Sequence, residues 1–194
     1  KHFEYTAQLK VLYEWRKFRP FVGFAVSKNT YKMQFLVPES NVLNKKNGSH
    51  WTNYPIGVIN EMIKDGKVIT GMDFLFYGNI PIGSGLSSSA SIEIATAYAL
   101  NSYFNLGYER LDLVKIARRV ENDFIGLNSG IMDQFAVAFG EKNKAIVLDC
   151  ETLKYKMADA DLGNYVLAII NTNKPRKLSE SKYNERVEEC QTAL

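Results

Sequence analysis

The chain has 194 residues, of which 24 are Lys or Arg and 21 are Asp or Glu, giving a formal net charge of +3. With 46% apolar and 23% charged residues it has ordinary globular composition, which excludes wholesale disorder, collagen and coiled coil and leaves room for one domain, or two small ones, around a real core. The basic balance is mild and no long Lys/Arg stripe accompanies it, so no nucleic-acid partner is expected.

In chain order, residues 4–18 alternate charged and bulky apolar types, and Leu9, Leu12 and Tyr13, with Trp15 as a further candidate, can share one helical face. Residues 22–27 and 31–37 read as strands. Residues 44–49 form a polar turn around Gly48, and residues 51–64 carry a helical pattern (Tyr54, Val58, Ile59, Met62) with Pro55 tolerable in the first turn. Residues 73–80 are β-rich and stop at Pro81. A small-and-apolar helix follows residue 91 through Ile94, Ala95, Ala97, Tyr98 and Leu100. Residues 111–124 give a further helix with Leu113, Ile116, Ala117, Val120 and Phe124 on one face. Gly126, Asn128 and Gly130 punctuate a turn, a helix spans 131–139 and stops at Gly140, and residues 145–148 and 165–170 are apolar strand candidates. Residues 180–194 read as a charged, half-exposed helix. Strands and helices mix without regular βαβ repetition, which predicts an α+β fold with a mixed or antiparallel sheet and helices on one face, rather than a doubly wound sheet.

The scarce residues exclude more chemistry. Two cysteines, Cys150 and Cys190, and two histidines, His2 and His50, make no zinc cluster and no disulfide framework; the cysteines are expected to be reduced core thiols in a cytoplasmic protein. A Ser-His-Asp triad would have to recruit His2 or His50, neither in a promising context. The opening Lys1-His2-Phe3-Glu4 is not a signal peptide, and no apolar run approaches the ~20 residues that cross a bilayer, so no membrane partner is expected.

The informative segment is Pro81-Ile82-Gly83-Ser84-Gly85-Leu86-Ser87-Ser88-Ser89-Ala90-Ser91, with a strand leading in and a helix leading out. Gly83 and Gly85 allow positive φ and close approach of a ligand to the backbone. Ser87, Ser88 and Ser89 stand where a helix N-terminus presents unpaired N–H groups, an arrangement that binds phosphate. The bland alternative is a flexible Gly/Ser loop with a serine N-cap. Neither standard phosphate loop fits: Gly78 to Gly83 has the Walker A glycine spacing but Ser84 replaces the required lysine, and the dinucleotide fingerprint matches only Gly83 and Gly85.

This segment resembles the second signature of the GHMP kinases (galacto-, homoserine, mevalonate and phosphomevalonate kinases). Gly130-Ile131-Met132-Asp133-Gln134-Phe135 is similar to the catalytic-base segment of the galactose-phosphorylating members. Asn171-Thr172-Asn173-Lys174-Pro175-Arg176 and Ser181-Lys182-Tyr183-Asn184-Glu185-Arg186 are similar to their later sugar-facing region. The resemblance covers roughly residues 51–194, with its motifs in the family's order.

The resemblance implies the N-terminal domain type of that family, spanning residues 1–194 and nucleotide-binding. It implies ATP and galactose as partners, Mg²⁺ with the nucleotide, and phosphorylation of the sugar C1 hydroxyl. Gly83, Ser84, Gly85, Leu86, Ser87, Ser88 and Ser89 would cradle the ATP phosphates, and Trp51 would lie near the adenine, although a helix-face aromatic also suits the core. Ser89 and Glu121 would ligate Mg²⁺; alone, Glu121 reads as a solvated acid beside Arg118 and Arg119. Asp133 would be the catalytic base, its plainer reading being a first-turn acid favoured by the helix dipole. Gly130 would pack against the sugar, and Tyr183 would contact it or else pack on the core.

The family's first signature, ending in Gly-Glu-His-Thr-Asp-Tyr, and its glycine-rich third signature are not found, so the resemblance implies an incomplete kinase, with most of a C-terminal domain missing and little turnover expected of these 194 residues tested alone. Rival readings are a galactose- and ATP-binding sensor, and a kinase for N-acetylgalactosamine or mevalonate. Sensors related to the family lose a Ser-Ala pair that stands here as Ser89-Ala90, and the Ile131-to-Phe135 string favours galactose.

Overall fold

A computed structural model describes residues 30–35, 43–48, 50–78, 80, 84–170 and 183–193. The expected helical face at 4–18, the strand at 22–27, and Pro81, Ile82 and Gly83 lie outside the described residues. Strand β1 (Thr30–Phe35) pairs antiparallel with β2 (Met72–Tyr77), Thr30 opposite Tyr77 and Phe35 opposite Met72. Between them runs α1 (Asn53–Lys64). After β2 come α2 (Ser88–Phe104), α3 (Arg110–Arg119), a π-helical segment (Val120–Ile125) and α4 (Met132–Phe139). The hairpin β3 (Lys144–Leu148) and β4 (Tyr155–Asp159) follows, and α5 (Tyr183–Ala193) is the last element. The α+β class holds, and every strand pairing among the described residues is antiparallel.

The local chemistry explains the boundaries. Pro55 is the third residue of α1, where its missing N–H costs no helical bond. The helix closes with Gly66 at φ 80°, Gly66 N–H donating to Ile63 O at 2.9 Å and Lys67 N–H to Met62 O at 3.0 Å, the paired bonds of a Schellman ending. Asn105, at φ 51°, ends α2, with Leu106 N–H returning to Asn101 O at 3.0 Å. The Asn101 amide then clips Tyr108, accepting from its N–H and donating to its carbonyl. At the start of α3, Glu109 N–H donates to Asp112 Oδ2 at 3.0 Å.

Two apolar clusters share α2 and α3. Val58, Ile59 and Met62 of α1, Phe76 of β2, Ala97 and Leu100 of α2, and Leu113 and Ile116 of α3 form the first. Ile94 of α2, Val114 and Ala117 of α3, and Ile131 and Phe135 at α4 form the second, capped by Ile146 and Leu148 of β3. A helix that packs on two sides must be apolar nearly all round, which is why α2 reads as small and apolar in the sequence. Arg119 joins α3 to α1 through Glu61 at 3.1 Å and Asp65 at 2.8 Å, and Lys64 also reaches Glu61, so the buried Glu61 carboxylate is fully paired.

Gly57 is where α1 meets the π-helical segment most closely. A Cβ there would stand 2.5 Å from Val120 Cγ1 and 3.0 Å from Phe124 Cδ1. Both are parts of buried or half-buried side chains with little freedom to retreat. Gly57→Ala is therefore expected to destabilise the fold by about 1–3 kcal/mol, despite the better helix propensity of alanine. A thermal melt checks it; an unchanged or higher Tm would show that the helices separate at no cost.

Two expectations need correcting, and one strand was missed. Residues 165–170 are not a strand: Tyr165, Val166 and Ile170 are each more than 80% exposed. An apolar run becomes a strand only where an edge accepts it, and the described residues offer this one no partner. The strand that does pair with β3 is β4, whose Tyr155-Lys156-Met157-Ala158-Asp159 is too polar and short to announce itself. The cysteines are not core thiols: Cys150, in the turn after β3, and Cys190, on α5, are both free and exposed.

Candidate active site

The loop that follows β2 enters α2 through unusual backbone. Gly85 has φ 79°, and Ser87, the residue preceding the helix, has φ 53°. A left-handed serine costs roughly 1–2 kcal/mol, so the surrounding structure holds it there. Ser87 makes no side-chain cap bond, and no acidic residue stands in the first turn of α2. Its carbonyl accepts Ser91 N–H at 3.0 Å, but the N–H groups of the first turn have no helical acceptor. This removes the serine N-cap reading and leaves an uncapped, positively polarised helix end. Ser84, Leu86, Ser87, Ser88 and Ser89 are half-buried around it, and Gly85 is exposed. Gly83 lies outside the described residues.

Beneath this mouth lies a polar core. Glu93, the only charged residue of α2, sits one turn beyond Ser89 and is fully buried. Gln134 of α4 is fully buried as well, and Glu121 is 4% exposed. None of the side-chain oxygen or nitrogen atoms of Glu93 and Gln134 has a hydrogen-bond partner among the described residues. Burial, then the Glu121 carboxylate, pushes the Glu93 carboxyl well above its usual range; Gln134 is close enough to oppose that shift, although no bond of regular geometry joins the two side chains. From α1, Tyr54 faces the same acids, and burial followed by Glu93 and Glu121 pushes its hydroxyl up to about 12. Unpaired buried polar atoms cost about 1–3 kcal/mol each, so four elements converge on a place that is expensive to keep empty.

Glu121 owes its position to the π-helical segment, a distortion often found at functional sites. Its carbonyl accepts both Gly126 N–H at 3.0 Å and Leu127 N–H at 2.9 Å, and Gly126 turns at φ 88°. The solvated reading of Glu121 fails: it is buried, and Arg119 is turned away to Glu61 and Asp65.

The next loop leads to α4. Asn122 Oδ1 accepts both the N–H and the hydroxyl of Ser129 at 3.1 Å. Gly130 is exposed, with nothing within 4 Å of where a Cβ would be. Ile131 and Phe135 anchor α4 in the second cluster, and Asp133 is exposed in its first turn.

The structure thus places Ser89 one turn from Glu93, Glu93 beside Glu121 and Gln134, and Asp133 next to Gln134 in sequence. It does not bring Trp51 into this group: Trp51 packs edge-on against Phe76, with ring centroids 5.7 Å apart, at the border of the first cluster. Tyr183 opens α5, and its side chain is outside the described residues. Sequence reasoning missed Glu93 and Gln134. The signal for Glu93 was available, since a lone acid in an apolar helix is either paired or functional. Asn122, which fastens the loop before α4, gave no signal, and Asn184, which does so too, stood in the sugar-facing motif without a role of its own.

Residues 53–141 match the family model described as the GHMP kinases N terminal domain. The chain is 60% identical over 151 residues to the galactokinase of Clostridium tetani (strain Massachusetts / E88), a match covering 77% of this chain and 38% of that protein. It is 54% identical over 155 residues to the galactokinase of Lactiplantibacillus plantarum (strain ATCC BAA-793 / NCIMB 8826 / WCFS1), covering 79% and 40%. Among solved structures it is similar to Lactococcus lactis galactokinase complexed with galactose, with a TM-score of 0.72 and 51% identity over 78% of this chain and 39% of that one. The chain therefore spans about two-fifths of the length of these relatives. The open helix end, the buried acids beneath it and these likenesses point the same way: residues 53–141 form a GHMP kinases N terminal domain.

Proposed function

We propose that this protein is an ATP-dependent kinase that phosphorylates the C1 hydroxyl of galactose, and that the chain is its nucleotide-binding N-terminal domain. The observation that carries the reading is the uncapped N-terminus of α2 behind a left-handed Ser87, in a chain 60% identical to a galactokinase. Phosphoryl transfer asks a protein mainly for positioning and charge stabilisation. Backbone N–H groups of Gly83, Ser84, Gly85, Leu86, Ser87, Ser88 and Ser89 hold the triphosphate. Asp133, exposed on an anchored helix, accepts the proton of the sugar C1 hydroxyl. That oxygen then forms its bond to the γ-phosphorus as the bond from the γ-phosphorus to the ADP oxygen breaks. Gly130 leaves room for the sugar ring, and Tyr183 borders it. Trp51 sits near the adenine, its edge held by Phe76.

The donor set fits Mg²⁺. Ser89 and Glu121 offer a hydroxyl and a carboxylate, and the unpartnered Glu93 beside Glu121 marks a place where positive charge is favourable. Among the described residues no group of three or more His, Cys, Asp or Glu side chains can hold a metal ion by itself, so the remaining ligands would be phosphate oxygens and water. When bound, Mg²⁺ neutralises charge on the phosphates. A kinase acting on ATP and galactose would work in the cytoplasm; separately, no described helix is long and apolar enough to cross a membrane.

With Mg-ATP and galactose, the full-length protein of which this chain is the proposed N-terminal domain is expected to release ADP and form galactose 1-phosphate, read by a coupled assay and by mass spectrometry of the sugar, while the 194 residues alone turn over little. N-acetylgalactosamine and mevalonate are expected to react poorly. Binding of ATP and galactose without product would favour a sensor instead, and preference for another acceptor would overturn the substrate.

A further inference from the structure

We propose that Asn184 is a positioning residue for the sugar side of the site, clamping the loop between Glu121 and Asp133 and fixing the start of α5 against it. The inference rests on the kinase reading above. Asn184 Oδ1 accepts Asn128 N–H at 3.0 Å, and its Nδ2 donates to Gly126 O at 3.2 Å. Both partners are main-chain groups, 56 and 58 residues away, and both lie on the turn that leaves the π-helical segment. A planar carboxamide is suited to this: it supplies one donor and one acceptor side by side. An aspartate there would keep the acceptor and lose the donor.

The clamp has leverage in both directions. Asn128 lies two residues before Gly130 and five before Asp133, while Asn184 directly follows Tyr183. One side chain therefore sets the spacing between the loop that carries the base and the tyrosine that borders the sugar. The loop is held from its other side by Asn122 on Ser129, and Leu127 is buried, so the Asn184 bonds fix the stretch that these anchors leave exposed. Elsewhere on α5, the ion pair of Arg186 with Glu189 and the bond from Thr192 to Glu188 O stay within the helix. The phosphate-binding end of α2 makes none of these contacts, so loss of the clamp falls on the sugar and spares the nucleotide.

The experiment compares Asn184→Ala and Asn184→Asp, made in the full-length protein, with the unmutated full-length protein by steady-state kinetics and by amide hydrogen exchange. Asn184→Ala is expected to change galactose KM or kcat by about five- to tenfold, the scale of one or two neutral hydrogen bonds. The KM for ATP stays within about twofold, and Asn184→Asp falls between. Exchange at the Asn128 amide accelerates while the amides of α3 keep their protection. Unchanged galactose kinetics in Asn184→Ala would overturn the proposal, as would a parallel loss for ATP or a still-protected Asn128. If the unmutated protein does not turn galactose over, the kinase reading fails and the sugar-side role with it, whereas the exchange data still report whether the clamp exists.

Discussion

Asp133→Asn is expected to lower kcat for galactose by roughly 10²–10⁴-fold, the range that a positioned general base contributes, while ATP binds as before. The asparagine has nearly the same shape and keeps the hydrogen-bonding reach, but it cannot take up the proton of the attacking hydroxyl. Asp133 is exposed, and α4 is held instead by Ile131 and Phe135, so the substitution leaves the helix in place. The lost favourable interaction with the helix dipole costs only about 0.3–1 kcal/mol, and the Tm should move little. Single-turnover phosphoryl transfer, with calorimetric titration of ATP, separates the outcomes. A variant with near-normal transfer would remove the base assignment, and one that loses ATP affinity in step with transfer would make Asp133 a structural acid.

The order of elements from α1 to β3 was legible because each carries a strong local pattern. Examples are the buried stripe of Val58, Ile59 and Met62, and the glycine stop at Gly140. β4 was not, because strand identity there depends on what lies alongside: Lys156 faces Val147 across the hairpin, and neither residue advertises the pairing. The run at 165–170 fails for the reverse reason, being apolar without a partner. For the site, the loop of glycines and serines and the Asp133 segment were readable as a pattern of residue types. The backbone state that gives the loop its chemistry, a left-handed Ser87 with no side-chain cap, was not. Nor could the sequence show that Arg119, two residues from Glu121, would turn away to α1 and leave that acid buried beside Glu93.

That last arrangement gives Glu121→Gln its expected outcome. The substitution keeps the side-chain volume and removes one negative charge from a buried place that already holds Glu93. If Glu121 were a structural acid, its loss would lower stability, as removing one partner of a buried pair does. Here no salt bridge to Glu121 exists among the described residues and its buried neighbour is another carboxyl group, so the Tm should hold or rise. Activity behaves oppositely. With one of the two proposed protein ligands weakened, the Mg²⁺ concentration for half-maximal turnover should rise at least about tenfold, and kcat at saturating Mg²⁺ should fall by about 10²-fold, the scale of removing one fixed electrostatic contact from a transferring group. Titrating Mg²⁺ at fixed ATP, beside a thermal melt of the same preparation, reads both. A variant with a lowered Tm and an unchanged Mg²⁺ requirement would return Glu121 to the core as a structural residue and leave the metal without its carboxylate.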